Sequence, residues 1–299
     1  MVHAIINPIS GAGADADVSR RRVAMIDAAA KTRRLPTQIR ITERGGHARE
    51  LARDAVAADA DALIVWGGDG TINEAGAALI GSRTVLGVVP AGSGNGLAAA
   101  LGVSRDPVTA IADAFDAPAH RIDAGMMDGR AFFNIAGIGF DARVAALFNA
   151  RAAGSRGAWP YIAIGVREGC RYCAVDYVVT LDAQAAPIRA LLIAFANGRE
   201  YGMGAKIAPG ARLDDGVLDA IVVQDARNVI SRFWHARHLA TGKPERAPIV
   251  TSRRITQAVI ETPGEMEYHV DGEPGRARGR IDVTIIPAAL SVRTRSLPG

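Results

Sequence analysis

The chain has 299 residues, of which 49% are hydrophobic and 22% charged, and a formal net charge of +4. That apolar fraction excludes a disordered chain, and the length suggests about two domains. No apolar run reaches the ~18 residues that span a bilayer, the N-terminus lacks a basic segment leading into a long apolar one, and two cysteines cannot make a disulfide framework. A cytoplasmic protein with no transmembrane segment is expected.

The first ~120 residues alternate strand and helix signals, read by hydrophobic periodicity. His3–Asn7 is a short apolar run that ends in a turn, Pro8 to Gly13. A helix is expected over 15–31, a strand over Thr37–Thr42 and a helix over Gly45–Ala58, with Ala48, Leu51, Ala52 and Ala55 on one face. Ala62–Trp66 and Val85–Val89 are continuous apolar runs, as buried parallel strands require. The first stops at Gly67-Gly68-Asp69-Gly70 and is followed by a helix to about Ile80; the second stops at Pro90-Ala91-Gly92-Ser93-Gly94-Asn95-Gly96. This βαβα order predicts a parallel sheet covered by helices.

From about Arg121 strand signals dominate: Phe132–Ala136, Val175–Leu181, Ala190–Ala196, Val217–Val223, Arg254–Glu261, Met266–Val270 and Ile281–Ile286. Helical stretches near 142–150, 158–168 and 227–240 interrupt them. A separate, mainly antiparallel domain is expected. With no Pro/Gly/Ser-rich linker between the halves, a shared interface with a cleft is also expected.

Charge is uneven. Residues 1–125 carry 13 Lys and Arg against 14 Asp and Glu, whereas residues 126–299 carry 22 against 17. Lys31, Lys206 and Lys243 are the only lysines. Arg20-Arg21-Arg22 and Arg276 to Arg280 read as solvated faces, or at most as contacts to anionic lipid. Nucleic acid is not expected as a partner, because neither interleaved aromatics nor a known module is present.

Three glycine-rich loops follow strand C-termini: Gly11-Ala12-Gly13, Gly67 to Gly70 and Gly92 to Gly96. In an open α/β sheet such loops form the ligand crevice. Glycine permits close backbone approach, so successive N–H groups can cradle a phosphate beside a helix N-terminus. A carboxylate inside such a cradle, Asp69, repels phosphate unless a cation bridges them, and Mg²⁺ suits one carboxylate plus phosphate oxygens. Thr71-Ile72-Asn73-Glu74 fits a capping box, which is the expected main role of Thr71 and Glu74. GxxxxGK[ST] is absent, excluding a P-loop NTPase, and no protein-kinase motif set occurs. Gly11 to Ala16 matches GxGxxA, a weak dinucleotide fingerprint that leaves the second loop unexplained. Asp271-Gly272-Glu273 reads first as a hairpin turn. Cys170, Cys173, His235 and His238 pair up on paper as zinc ligands, but the gap between the pairs is far outside common spacing.

The motif series resembles the diacylglycerol kinase catalytic-domain family, which includes bacterial soluble lipid kinases and sphingosine kinases. Gly67-Gly68-Asp69-Gly70-Thr71-Ile72-Asn73-Glu74 is similar to its GGDGTxNE signature, and Asn7-Pro8-Ile9-Ser10-Gly11-Ala12-Gly13 to its opening NPxSGxG. Thr42, followed by Gly46-His47-Ala48 and Leu51-Ala52, resembles its strand-end Thr and the helix after it. Pro90 to Ala98 resembles PxGTxNDxA, with Ser93 for Thr and Gly96 for Asp. Asn134 to Ala142 resembles N-x-x-x-G-x-G-F-D-A, Pro209 to Asp219 resembles PxAxxDDGxLD, and Asp271 to Glu273 the late DGE. GGDG alone is shared with NAD kinases and 6-phosphofructokinases; the full series is specific.

The resemblance implies an α/β N-terminal domain with an NAD kinase/6-phosphofructokinase-like parallel sheet, plus a mainly antiparallel β-sandwich-like second domain. Boundaries at 1–122, with 287–299 returning to it, and 123–286 follow, Pro287–Thr294 being the returning strand. It implies ATP contacted by Asn7, Gly11, Thr42, Gly67, Gly68, Gly70, Thr71 and Ser93. Asp69 with Asp123 would serve the Mg²⁺–phosphate, and Glu273, with Asp271 beside it, would take the acceptor hydroxyl's proton. A second, structural Mg²⁺ would be held by Asp215 and the carbonyls of Arg212 and Val217. The implied reaction is phosphorylation of a diacylglycerol-like lipid met at the inner membrane surface; a homodimer is left open. A kinase of a soluble acceptor such as NAD and a non-catalytic nucleotide-binding regulator are the alternatives. Leu147, Phe148, Trp159, Tyr161 and Ile162 line a lipid slot or belong to the core; the sequence does not choose.

Overall fold

The computed structural model describes residues 1–11, 16–150, 158–201, 206–226 and 246–297, with single positions between 228 and 243. They form two compact units, Met1–Ile122 with Ala288–Gly299, and Asp123–Pro287.

In the first unit, β1 (Val2–Ile6), β2 (Thr37–Ile41), β3 (Ala62–Gly67) and β4 (Val85–Pro90) are parallel. Their order is β4-β3-β1-β2, and the last residues of the chain's final strand, β13 (Glu273–Arg293), add beside β4 through Val292 and Leu86, also parallel. β1 and β3 are buried on both sides, which is why they read as unbroken apolar runs. Val2, Ala4, Ile6, Ala62, Ile64 and Trp66 pack against Ile26 and Ala30 of α1 (Ala16–Thr32) and against Ile111 and Phe115 of α5 (Pro107–Asp116). Ile5, Leu63 and Val65 face the other way and are equally buried. α2 (His47–Ala57) and α3 (Asp69–Leu79) pack together, and α4 (Gly96–Ala100) follows β4.

The second unit is antiparallel. β5 (Ala119–Met127) and β6 (Arg130–Phe132) form a hairpin. β7 (Ile135–Gly139), β8 (Val175–Leu181), β9 (Gln184–Ala196), β10 (Leu218–Gln224), β11 (Val250–Ile255), β12 (Gln257–Val270) and the first part of β13 complete it, with α6 (Phe140–Asn149) and α7 (Ala158–Gly169) inserted. β9 and β12 each change partner along their length, pairing with β8 over one stretch and with β7 over the other. Side chains from both stretches, among them Phe195, Ile193, Tyr177, Ile260 and Tyr268, meet in one core, as in a sandwich.

Two strand expectations are corrected. Phe132–Ala136 is not one strand: it breaks at Phe133-Asn134, whose N–H groups bond a side chain instead of a ladder. Arg254–Glu261 and Met266–Val270 are cut differently: β11 ends at Ile255, and β12 runs unbroken through Pro263, absorbing it in a register shift between Glu261 and Glu265. The helix expected over 227–240 lies largely outside the described residues.

Candidate functional site

Three loops meet in the first unit because their backbones touch. A Cβ on Gly92 would lie 2.9 Å from the Gly68 Cα, and one on Gly11 would lie 2.9 Å from the Ala91 carbonyl oxygen at a positive φ of 94°. Ser10 Oγ accepts the Gly68 N–H at 3.1 Å. Side chains at these positions would push the loops apart, so glycine is needed for the close approach.

Asn7 Nδ2 donates to Thr71 Oγ1 at 2.7 Å, tying the end of β1 to α3. Gly67 is squeezed against Thr71, whose Cβ would be 2.7 Å from a Cβ there. Thr42 is buried beside them in sequence register, its N–H bonded to the Ile6 carbonyl. Gly70 lies in the first turn of α3, and Ser93 is exposed at the tip of its loop. Asp69 joins two loops: its carboxylate accepts the N–H of Asn95 at 2.7 Å and of Gly96 at 2.6 Å. Two amides of the third glycine loop are therefore spent on Asp69.

The capping box is corrected. α3 starts at Asp69 with Gly68 as its N-cap and no side-chain cap. Thr71 already lies inside the helix, and Glu74 Oε1 instead accepts the Gly46 N–H at 2.8 Å, pinning the start of α2. The solvated reading of Arg22 is corrected as well. Arg22 donates to the Asn7 carbonyl at 2.7 Å and the Ser10 carbonyl at 2.8 Å, and its guanidinium lies over the Trp66 ring. Burial lowers its pKa from the ordinary arginine range, but arginine stays cationic. Its helical spacing on α1 was the available signal, masked by the flanking arginines. Arg276 and Arg280 are solvated as expected, each paired with acidic neighbours on the strand face.

In the second unit, Asp271-Gly272 is the two-residue turn between β12 and β13, with Val270 opposite Glu273 and φ of 48° and 84°. Both positive φ values belong to a type I′ hairpin. Glu273 is exposed at the first position of β13. Asp271 is differently placed. Its carboxylate accepts three consecutive backbone N–H groups, from Phe133 and Asn134 at 2.9 Å and Ile135 at 3.1 Å. A carboxylate so engaged holds a loop in place.

Asp123 is buried, 2% exposed, and its Oδ2 accepts the Gly216 N–H at 2.7 Å. Asn197 Nδ2 bridges the carbonyls of Asp123 and Phe133. Asp69 and Asp123 belong to different units, and each is engaged within its own; the assignment of Asp123 to a metal rests on the resemblance alone. The structural-metal set fits poorly. Asp215 forms an ion pair with Arg254 of β11, and the exposed Arg212 is paired with Asp214. Val217 offers its N–H to Asp215 Oδ1 at 3.4 Å. Arg254 already supplies the positive charge that a cation would bring.

Among the described residues, no cluster of three His, Cys, Asp or Glu side chains is suited to a metal. Cys170 and Cys173 are exposed free thiols. No helix is long and apolar enough to cross a membrane among the described residues. Leu147 and Phe148 are half-buried on α6, while the side chains of Trp159, Tyr161 and Ile162 lie outside the described residues.

Residues 1–127 match the diacylglycerol kinase catalytic domain family, and residues 134–294 match the YegS C-terminal NAD kinase beta sandwich-like domain family. A protein named "Diacylglycerol kinase" from Mycobacterium tuberculosis is 31% identical, over 97% of this chain and 94% of its own. A "Probable lipid kinase YegS-like" from Chromohalobacter salexigens is 29% identical, over 79% of this chain and 77% of its own. A crystal structure of a diacylglycerol kinase from Bacillus anthracis superposes with a TM-score of 0.73 at 20% identity, over 98% of this chain and 96% of that one. With both halves matched, the chain belongs to the lipid kinase family built from a diacylglycerol kinase catalytic domain and a YegS-type β-sandwich domain.

Proposed function

We propose that the chain is an ATP- and Mg²⁺-dependent kinase that transfers the γ-phosphate to a hydroxyl of a diacylglycerol-like lipid at the cytoplasmic membrane surface. The observation that carries this reading is the mutual locking of the three loops around Gly11, Gly68 and Gly92 beside the start of α3. Phosphoryl transfer asks for alignment and charge neutralisation more than for covalent chemistry. The N–H groups in the first turn of a helix have no partner within the helix and attract phosphate. Gly67, Gly68, Gly70 and Thr71 surround that turn in α3. Asn7 would meet the nucleotide as part of its bonded pair with Thr71, with Gly11, Thr42 and Ser93 around them.

With three lysines in the chain and none in these loops, Arg22 is the cation built into the cradle. Asp69 fits the metal by chemistry and place: it is a hard oxygen ligand of the kind Mg²⁺ takes, at the start of α3 and tied to the third glycine loop. Mg²⁺, when bound, would supply the charge neutralisation that the phosphates require. Glu273, exposed at the hairpin tip, would accept the proton of the lipid hydroxyl, a contribution of roughly 10²–10⁴-fold for a placed base.

The test is label transfer from γ-labelled ATP and Mg²⁺ to diacylglycerol, monoacylglycerol, sphingosine, ceramide and phosphatidylglycerol in mixed micelles, with NAD in a separate tube. A labelled lipid that disappears in both Asp69→Ala and Glu273→Gln is the expected result. Label on NAD alone overturns the lipid reading. ATP binding without transfer to any acceptor favours a regulator.

A further inference from the structure

We propose that Asp141 and His269 are positioning residues for the proposed reaction: a buried pair that fixes the Gly272 peptide and thereby the place of Glu273. The inference rests on the reading above that Glu273 is the proton acceptor. The GxGFDA segment enters the motif series without a role of its own, and His269 enters no motif.

The geometry assigns the pair. His269 is 3% exposed on β12, two residues before the turn. Its Nδ1 lies 3.2 Å from the Gly272 N, an N–H that can only donate. Nδ1 is therefore the acceptor, and the ring proton sits on Nε2. Nε2 then donates to Asp141 Oδ2 at 3.2 Å. The same oxygen accepts the Tyr201 hydroxyl at 2.8 Å, and Asp141 Oδ1 accepts the Ala142 N–H at 2.8 Å. Beside them, burial first and then the charge of Asp141 push the Tyr172 hydroxyl up to about 12, so it stays protonated.

Gly137 completes the arrangement. It sits directly opposite His269 in the β7–β12 ladder, and a Cβ there would lie 2.0 Å from Asp141 Oδ2. The missing side chain is what lets the carboxylate reach the imidazole. The same helix that carries Asp141 in its first turn ends with Asn149, whose Nδ2 donates to the Gly272 carbonyl at 2.7 Å. Both backbone polar groups of Gly272, one on each of the two peptide planes that flank its Cα, are thus held by side chains. Asp271, one residue earlier, is held by three amides.

An Asp-Gly turn forms a type I′ hairpin by itself. Burying a carboxylate and an imidazole is costly unless they are fully bonded. That this chain nevertheless spends both on Gly272 is explained if the orientation of the next residue, Glu273, has to be exact to a fraction of an ångström. A displacement of about 1 Å in a reacting group can cost about 10²-fold in rate.

His269→Leu removes the acceptor for the Gly272 N–H, while His269→Asn offers Oδ1 in place of Nδ1. The expected result with whichever panel lipid is labelled is a kcat about 10²-fold lower for His269→Leu. The KM for ATP stays unchanged, and His269→Asn recovers most of the loss. Hydrogen exchange of the wild type and the Leu variant, followed by mass spectrometry, should show faster exchange in peptides covering Gly272 and Glu273, with unchanged protection around α3. Wild-type kcat in the Leu variant, with Glu273→Gln inactive, overturns the positioning role and leaves the base intact. An active Glu273→Gln overturns the base instead. If no lipid is labelled, exchange decides: identical protection at Gly272–Glu273 in both proteins overturns the proposal.

Discussion

Asp69 Oδ1 accepts the Gly96 N–H at 2.6 Å, so a carboxylate at the start of α3 caps the start of α4. The residue assigned to the metal is thus also a structural clasp between two glycine loops, and the two roles can be separated. Asp69→Ala should cost about 1 kcal/mol, as loss of an N-terminal cap does, and abolish label transfer. Asp69→Asn keeps the shape and one acceptor oxygen. Its NH₂ must face one of the two N–H groups that Asp69 accepts, so its urea midpoint should fall by less than that of Asp69→Ala, while transfer falls about 10²-fold. A stability loss in the Asn variant as large as that of Asp69→Ala, parallel to its loss of transfer, would refute the double role.

Asp271 gathers three amides of the Phe133–Ile135 segment. Asp271→Ala strands them, and an unsatisfied buried group costs about 1–3 kcal/mol. Chemical denaturation should register a loss of about 2 kcal/mol or more, and Asp271→Asn a smaller one. Wild-type stability in the Ala variant would contradict the bonding.

The Asp215–Arg254 ion pair occupies the turn where a structural cation is expected from the family resemblance. Without nucleotide, the melting temperature should be the same in EDTA and in millimolar Mg²⁺. Arg254→Ala removes the guanidinium and should make the melting temperature rise with Mg²⁺. A wild type that Mg²⁺ stabilises through Asp215, lost in Asp215→Ala, would show that the ion displaces the arginine.

Asp219 gives a pH dependence with a definite sign. Burial raises its pKa, partly offset by Arg254, while Asp215 adds to the rise. The folded state therefore holds this proton to higher pH than the unfolded chain. Stability falls as pH rises through the window between the ordinary carboxylate pKa of about 4 and the raised folded value, and the full penalty is present above it. Asp219→Asn should raise the melting temperature at pH 7.5, with the gain shrinking to nothing below about pH 4. An equal gain at both pH values would remove titration as the cause.

The sequence by itself determined the chemistry-bearing motifs and the fold class. Glycines at strand ends, continuous apolar runs such as Ala62–Trp66, and the Asp271-Gly272 turn are local consequences of backbone freedom and burial. Local rules reach no further than a few residues, and the errors fall where the partner is distant. Thr71 and Glu74 read as a cap because their spacing suits one, yet their partners are Asn7 and Gly46. Arg22 read as solvated among arginines, yet it bonds the carbonyls of Asn7 and Ser10. Phe132–Ala136 read as one strand because nothing nearby shows that Asp271 takes its amides. Only the tertiary structure decided that His269, unremarkable in sequence, lies against Asp141 and opposite Gly137. The reason is physical: a buried polar group must find its partner somewhere, and chain topology alone fixes which distant atom comes within 3 Å or so.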